Sequence, residues 1–261
     1  GYPHTHLGIW DVQKAEFRQL TNRHDVGAFA WSPDSGSLAF SGVDLDSSDL
    51  THPARLYVLT VSAKEAKPVS LWSAPANVAA VQWHPDGKRV IAVGSDDRPH
   101  NLDYLVSISS SDPAAPVTLL TADLDRNVMT GGTGYPGITP ILTSDGDTIF
   151  FTARDQGCTV LYSIRNGEIT PLYGGSGVVV TGATLRATGQ LVLTVRTPES
   201  FGEVVELDPE TGAERKLLSF PGTFALYPRS ERWFQISDGL SVQGWLIAPL
   251  DFKLGSPPQL P

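Results

Sequence analysis

A chain of 261 residues with 41% hydrophobic and 18% charged residues is long enough to bury a sizeable core, which excludes a disordered acidic tail and leaves one all-β domain or two small ones. A formal charge of -9 without any cluster of Lys and Arg argues against nucleic acid and against membrane surfaces as partners. The single cysteine, Cys158, cannot form an internal disulfide, no apolar run approaches the roughly 18 residues that span a bilayer, and the first residues lack the signal-peptide pattern, so cytoplasm is the expected compartment.

Along the chain two kinds of β-hairpin alternate. IWDVQKAEFRQLT comes first, two β-rich runs around a polar turn. VGAFAWSPDSGSLAFSG follows, an apolar strand, a tight Pro-Asp turn and a second strand. The first kind returns as LYVLTVSAKEAKPVSLW, the second as VAAVQWHPDGKRVIAVGS, and the alternation continues through YLVSISSSDPAAPVTLLT, ITPILTSDGDTIFFTA, LYSIRNGEITPLYG, VTGATLRATGQLVLTVR and VVELDPETGAERKLLS. In the turns Pro presets one angle and Gly accepts positive φ. Asp34, Asp86, Asp145 and Thr188 mark the inner turns at spacings of 52, 59 and 43 residues, which are blade lengths. Two hairpins in series make a four-stranded blade, so the fold expected is an all-β propeller of four-stranded antiparallel blades. Trp31 and Trp83 close their inner strands and are expected to pack between neighbouring blades. The first outer hairpin, residues 7 to 21, has no inner partner before it. The propeller is therefore expected to be incomplete at its N-terminus, with about four and a half blades present.

Several strings that resemble known sites have structural readings. GTGYPG, from Gly132 to Gly137, matches a dinucleotide-loop string but is followed by a strand, where phosphate binding needs a helix. Asp44, Asp46 and Asp49, and Asp123, Asp125 and Asn127, fall short of a calcium loop because its glycine and glutamate are missing. His4 and His6 share a strand face without a third metal ligand. Cys158 opens a strand with no hint of a paired histidine, and packing is expected. No metal site and no cofactor are expected.

The junction WDVQKAEFRQLT into AFAWSPDSGSLAFSG, and the run LTSDGDTIFFTARDQGCTVLYSI, resemble the acylaminoacyl-peptidase-like branch of the prolyl oligopeptidase family. In that family a propeller of about seven blades caps an α/β-hydrolase domain. Repeats of this kind also occur in stand-alone propellers such as that of the translocation protein TolB. The stretch RWFQISDGLSVQGWLIAPLDFKLGSPPQLP is similar to the family's exit from propeller to hydrolase, with Phe234, Ile236, Val242, Trp245, Ile247 and Ala248 forming a hairpin around Asp238 and Gly239. The resemblance implies blades over residues 1–228 and an exit segment over 229–261. It implies as partners the hydrolase domain and the missing N-terminal blades of the same protein, with a short peptide as substrate, and leaves a homo-oligomer open.

The resemblance also implies a serine-type peptidase acting on short or N-acylated peptides, but this sequence has no G-x-S-x-G nucleophile elbow, and no catalytic residue is expected within it. Gly239-Leu240-Ser241-Val242-Gln243 comes nearest, and Ser241 sits in the hairpin. A propeller of this kind restricts access to short peptides. Arg126, entering an inner strand, and Arg154, leaving the next, should project from one rim, where a cation can hold a peptide carboxylate. Pairing of either arginine with Asp125 or Asp155 is the structural alternative. A stand-alone binding propeller or an interaction scaffold is the rival function.

Overall fold

The computed structural model describes residues 3–46, 54–62, 67–72, 76–96, 102–132, 135–175, 177–197, 200–221, 227 and 229–249. A half-blade leads, made of β1 (Gly8–Asp11) and β2 (Glu16–Gln19). The first full blade is β3 (His24–Trp31), β4 (Ser37–Asp44), β5 (Arg55–Thr60) and β6 (Val69–Ser70), hydrogen-bonded in that order. The second is β7 (Ala76–Trp83), β8 (Arg89–Asp96), β9 (Tyr104–Ser109) and β10 (Thr118–Leu119). In the third, the inner strand is split into β11 (Val128–Gly132) and β13 (Ile141–Leu142), both paired to β14 (Thr148–Asp155), with β12 (Tyr135–Gly137) folding back on β11. β15 (Cys158–Arg165) and β16 (Glu168–Tyr173) complete it. The fourth blade is β17 (Val179–Leu185), β18 (Leu191–Thr197), β19 (Ser200–Leu207) and β20 (Glu214–Pro221), joined to the third by one parallel pair, Thr159 with Val179. A separate two-stranded sheet, β21 (Arg229–Gln235) and β22 (Ser241–Ile247), ends the described chain. The one helical element among the described residues is a 3-10 turn, Ala122–Leu124. No helix there is long and apolar enough to cross a membrane.

The blades repeat in their hydrogen bonds as well as their order. Leu7, Leu56 and Leu105 are 49 residues apart, and their carbonyls accept from Leu20, Leu71 and Leu120 at 2.8 to 2.9 Å. The Thr21 and Thr121 hydroxyls accept from the Leu7 and Leu105 amides at 2.9 and 3.0 Å. β1 and β2 are therefore the outer pair of a blade, as the sequence repeat implies.

Each strand buries its apolar side chains against the blade beside it, which produces four hydrophobic clusters, one per interface. Leu7 and Leu20 of the half-blade meet Val26, Phe40 and Tyr57 of the first blade. Ala39 and Leu56 meet Val81, Val90 and Ala92 of the second. Ile91 and Val93 meet Phe151 and Tyr162 of the third, and Phe150 and Leu161 meet Leu191 and Leu193 of the fourth.

The two tryptophans differ. Trp83 is half-buried against the first blade, and its indole nitrogen donates to the Ala30 carbonyl at 3.1 Å. Trp31, at the equivalent place, is 44% exposed, which corrects the expectation of burial. Burial there requires an inner strand on the preceding blade, and among the described residues β1 pairs only with β2.

Candidate functional site

The third blade gathers the charged side chains of one rim. The Ala122–Leu124 turn ends on Asp125 in the left-handed region, φ +50°, which swings the chain into Arg126 just before β11. Val128 pairs with Ala153, so the start of β11 and the end of β14 lie together, and the Arg154 amide donates to the Asn127 carbonyl at 2.9 Å. Arg126 and Arg154 thus lie at one rim.

Their environments differ. The Arg126 Nε donates to Asp155 Oδ1 at 2.8 Å, and a second guanidinium nitrogen donates to the Asp125 carbonyl at 2.8 Å. The bond to Asp155 and its charge stabilise the protonated guanidinium further. Burial raises the Tyr162 phenol above its ordinary range, and the Asp155 carboxylate adds to that rise. Arg126 is thus the paired arginine of the structural alternative. The Arg154 side chain is exposed and has no ion-pair partner among the described residues. Asn127 braces the loop by accepting from the Asp103 amide at 2.8 Å.

Between Asp155 and Cys158 the chain reverses in two residues, Gln156 at φ +46° and Gly157 at φ +74°, the left-handed pair of a type I′ turn. On this turn sits the β21–β22 hairpin. Gln243 Nε2 donates to the Gln156 carbonyl at 2.9 Å, and the Trp245 ring lies so close over Gly157 that a Cβ there would meet it at 3.0 Å. The Arg229 guanidinium lies over the Trp245 ring, 5.1 Å from its centroid. Trp233, Phe234, Val242, Leu246 and Ile247 of the same hairpin are exposed. Tyr162 and this Trp245 seat escaped the sequence reading. The Gln-Gly pair between two apolar runs was the signal that could have located the turn.

The remaining candidates take structural places. Cys158 is buried, and its sulfur accepts from the Gly177 amide at 3.1 Å. Gly131 and Gly137 cross so tightly that a Cβ on either would lie 2.6 Å from a backbone oxygen, so these glycines serve a backbone crossing and no helix follows them. His4 sits 3.5 Å from Asp25, and His6 Nδ1 donates to the His24 carbonyl at 2.9 Å. Asp46 pairs with Arg23, while Asp49 lies outside the described residues. Ser241 accepts from the Gln235 amide group within its hairpin. Among the described residues no group of three or more His, Cys, Asp or Glu is placed to hold a metal ion.

Comparison with family models and with curated proteins gives no match. Comparison with solved structures does. A puromycin-hydrolyzing peptidase of Mycobacterium tuberculosis superposes with a TM-score of 0.68 at 16% identity, over 89% of this chain and 36% of that one. An acylaminoacyl peptidase of Pyrococcus horikoshii gives 0.63 at 16% identity, over 92% and 35%. TolB of Acinetobacter baumannii gives 0.54 at 20% identity, over 91% and 56%. At these identities the likeness is one of fold. The chain spans about a third of the length of the two peptidases.

Proposed function

We propose that this chain is the substrate-gating propeller portion of a serine peptidase of the prolyl oligopeptidase family that hydrolyses short or N-acylated peptides. The Ser, Asp and His belong to an α/β-hydrolase domain following residue 261. The observation that carries this reading is the β21–β22 hairpin, which is seated on the rim of Arg126 and Arg154 and leaves large apolar side chains uncovered. A stand-alone propeller gains nothing from such a hairpin, whereas a docked domain covers it. The likeness to two peptidases along a third of their length supports the same reading. At the rim, Asp155 holds Arg126 in place, and Arg154 is the cation that meets a peptide carboxylate.

The test incubates the 261-residue chain, beside the protein extended through its hydrolase domain, with short free and N-acylated peptides and with a serine-directed fluorophosphonate. Without nucleophile, base and orienting acid the 261-residue chain is expected to be inert and unlabelled, and the extended protein active. Labelling of the shorter chain overturns the reading. Hydrolysis by neither favours a TolB-like binding propeller. In the extended protein, Arg154→Met is expected to raise KM for peptides with a free C-terminal carboxylate by about tenfold, the ~1.4 kcal/mol of one exposed charge-assisted contact, with kcat unchanged. Equal KM for carboxylate and amide peptides before and after the substitution removes Arg154 from the gate.

A further inference from the structure

The uncovered face of the first blade has a definable complement. Phe29 and Trp31 of β3 are 56% and 44% exposed, while Val81, the counterpart of Phe29, is 2% exposed. The difference lies in the neighbour. Val81 and Trp83 lie against Ala28, Ala30 and Ala39 of the preceding blade's inner strands, and Phe29 and Trp31 face the place where such strands would stand. The half-blade already fixes that place. β1 and β2 are docked on the first blade through Leu7, through Leu20 and through Arg18, whose guanidinium donates to the Val61 carbonyl at 2.6 Å. On its other side β1 has no partner among the described residues, whereas β5 has β4 and β9 has β8.

We propose that the face formed by Phe29, Trp31 and the free edge of β1 receives a two-stranded inner hairpin of the same blade repeat. This deepens the reading of the chain as part of a larger propeller, but depends on the repeat and not on peptidase activity. The register follows from the equivalence of Leu7, Leu56 and Leu105. Ser41 opposes Leu56 and Val93 opposes Leu105, so the incoming strand opposes Leu7 at the same step. Ala39 opposes Val58 and Ile91 opposes Ser107, so a small or apolar residue opposes Ile9. The other incoming strand brings the carbonyl that Trp31 Nε1 reaches, as Trp83 reaches Ala30. An edge strand carries unmet backbone groups, and an added strand satisfies them while it covers the apolar ring.

The chain supplies its own probe. A second copy of residues 76–101 is joined directly to His4, which places its inner hairpin in the register just given. Oxidation of each tryptophan is followed by mass spectrometry in the grafted and the original 261-residue chain. In the original, Trp31 is expected to oxidise several times faster than Trp83. In the graft it slows to the rate of Trp83, and Ala80→Glu with Ile91→Glu in the grafted copy restores its reactivity. Trp31 still fast in a folded graft overturns the proposal. Loss of the fold counts equally against it, because a hairpin that fits this face adds burial and removes none. Concentration-dependent protection of Trp31 in the original chain, abolished by Phe29→Arg, overturns it in favour of a second copy. None of these outcomes involves hydrolysis, so failure here is distinguishable from failure of the peptidase reading.

Discussion

At the scale of single residues the turn motif is a hydrogen-bond clasp. Ser32 Oγ donates to Asp34 Oδ1 at 2.6 Å and accepts from the Ser37 amide at 2.9 Å, and Thr143 does the same with Asp145 and Thr148 at 2.6 and 3.0 Å. These bonds and the turn amides hold the Asp34 and Asp145 carboxyls below the ordinary value of 3.8. Their contribution to stability is present above that pH and lost as pH falls through the lowered folded values. Asp103 works in the opposite direction. Burial raises its pKa from 3.8, partly offset by a hydrogen bond from Ser95, so its ionisation costs stability that is lost as pH rises from 3.8 through the folded value. Asp103→Asn is therefore expected to raise Tm at pH 7 by about 2 °C, a low figure for a chain of this size because solvent screens a part-buried charge, and to leave Tm unchanged near pH 3. Thermal unfolding of both forms at the two pH values checks it. The turns were legible in the sequence because Pro-Asp and Ser-Asp-Gly state their own turn chemistry, but the Ser32 and Thr143 bonds that clasp them were not read from it. The burial of Asp103 was not legible, nor was the Ser95 bond from β8 that partly offsets it, since both depend on how the strands of the blade come together.

Strand pairing was the most legible element. Every hairpin quoted from the sequence pairs as a hairpin, because alternation and turn residues are local information. What period and turn chemistry cannot state is which face finds a neighbour. Trp31 and Trp83 occupy the same place in the pattern and differ in burial only because one has an inner strand beside it. The pairing of Arg126 with Asp155 was readable as an option, but the contrast between a paired Arg126 and an exposed Arg154 depends on how the turn at Asp125 places the side chains. The β21–β22 hairpin shows the same limit, since its sequence gives the turn at Asp238 and Gly239 but not the seat on Gln156 and Gly157. That seat includes a side-chain hydrogen bond from Gln243 and the Trp245 ring over Gly157. Trp245→Ala is expected to speed amide exchange in Arg229–Gln235 and Ser241–Ile247 by about tenfold, the ~1.4 kcal/mol lost with a half-exposed aromatic contact, with exchange in β8 and β14 unchanged. Exchange that rises equally in all blades would show the hairpin to be part of the cooperative core.

For the whole molecule, the order of clusters along the chain sets how it unfolds. Each full blade meets only its neighbours, so stability is close to a sum of blade terms and interface terms along a line. The second and third blades are covered on both sides, by the first and third and by the second and fourth respectively. The ends are not. Trp10, Phe17, Phe29 and Trp31 are exposed at one end, and Leu217, Leu218 and Phe220 at the other. In a closed ring every blade has two neighbours and exchange protection is nearly uniform around it, whereas an open stack loses its terminal units first. The isolated chain is therefore expected to show graded hydrogen-exchange protection, highest in β8, β9, β14 and β15, lower in β3 and β20, and lowest in β1, β2, β21 and β22. Urea transitions followed by Trp fluorescence and by far-UV circular dichroism should separate, because four of the five tryptophans among the described residues other than Trp72 lie in the half-blade, the first blade and the terminal hairpin. Uniform protection with coincident transitions would mean that the two ends are covered in solution. The grafted inner hairpin provides the complementary check, since it should raise protection in β1 and β3 while leaving β20 as it was.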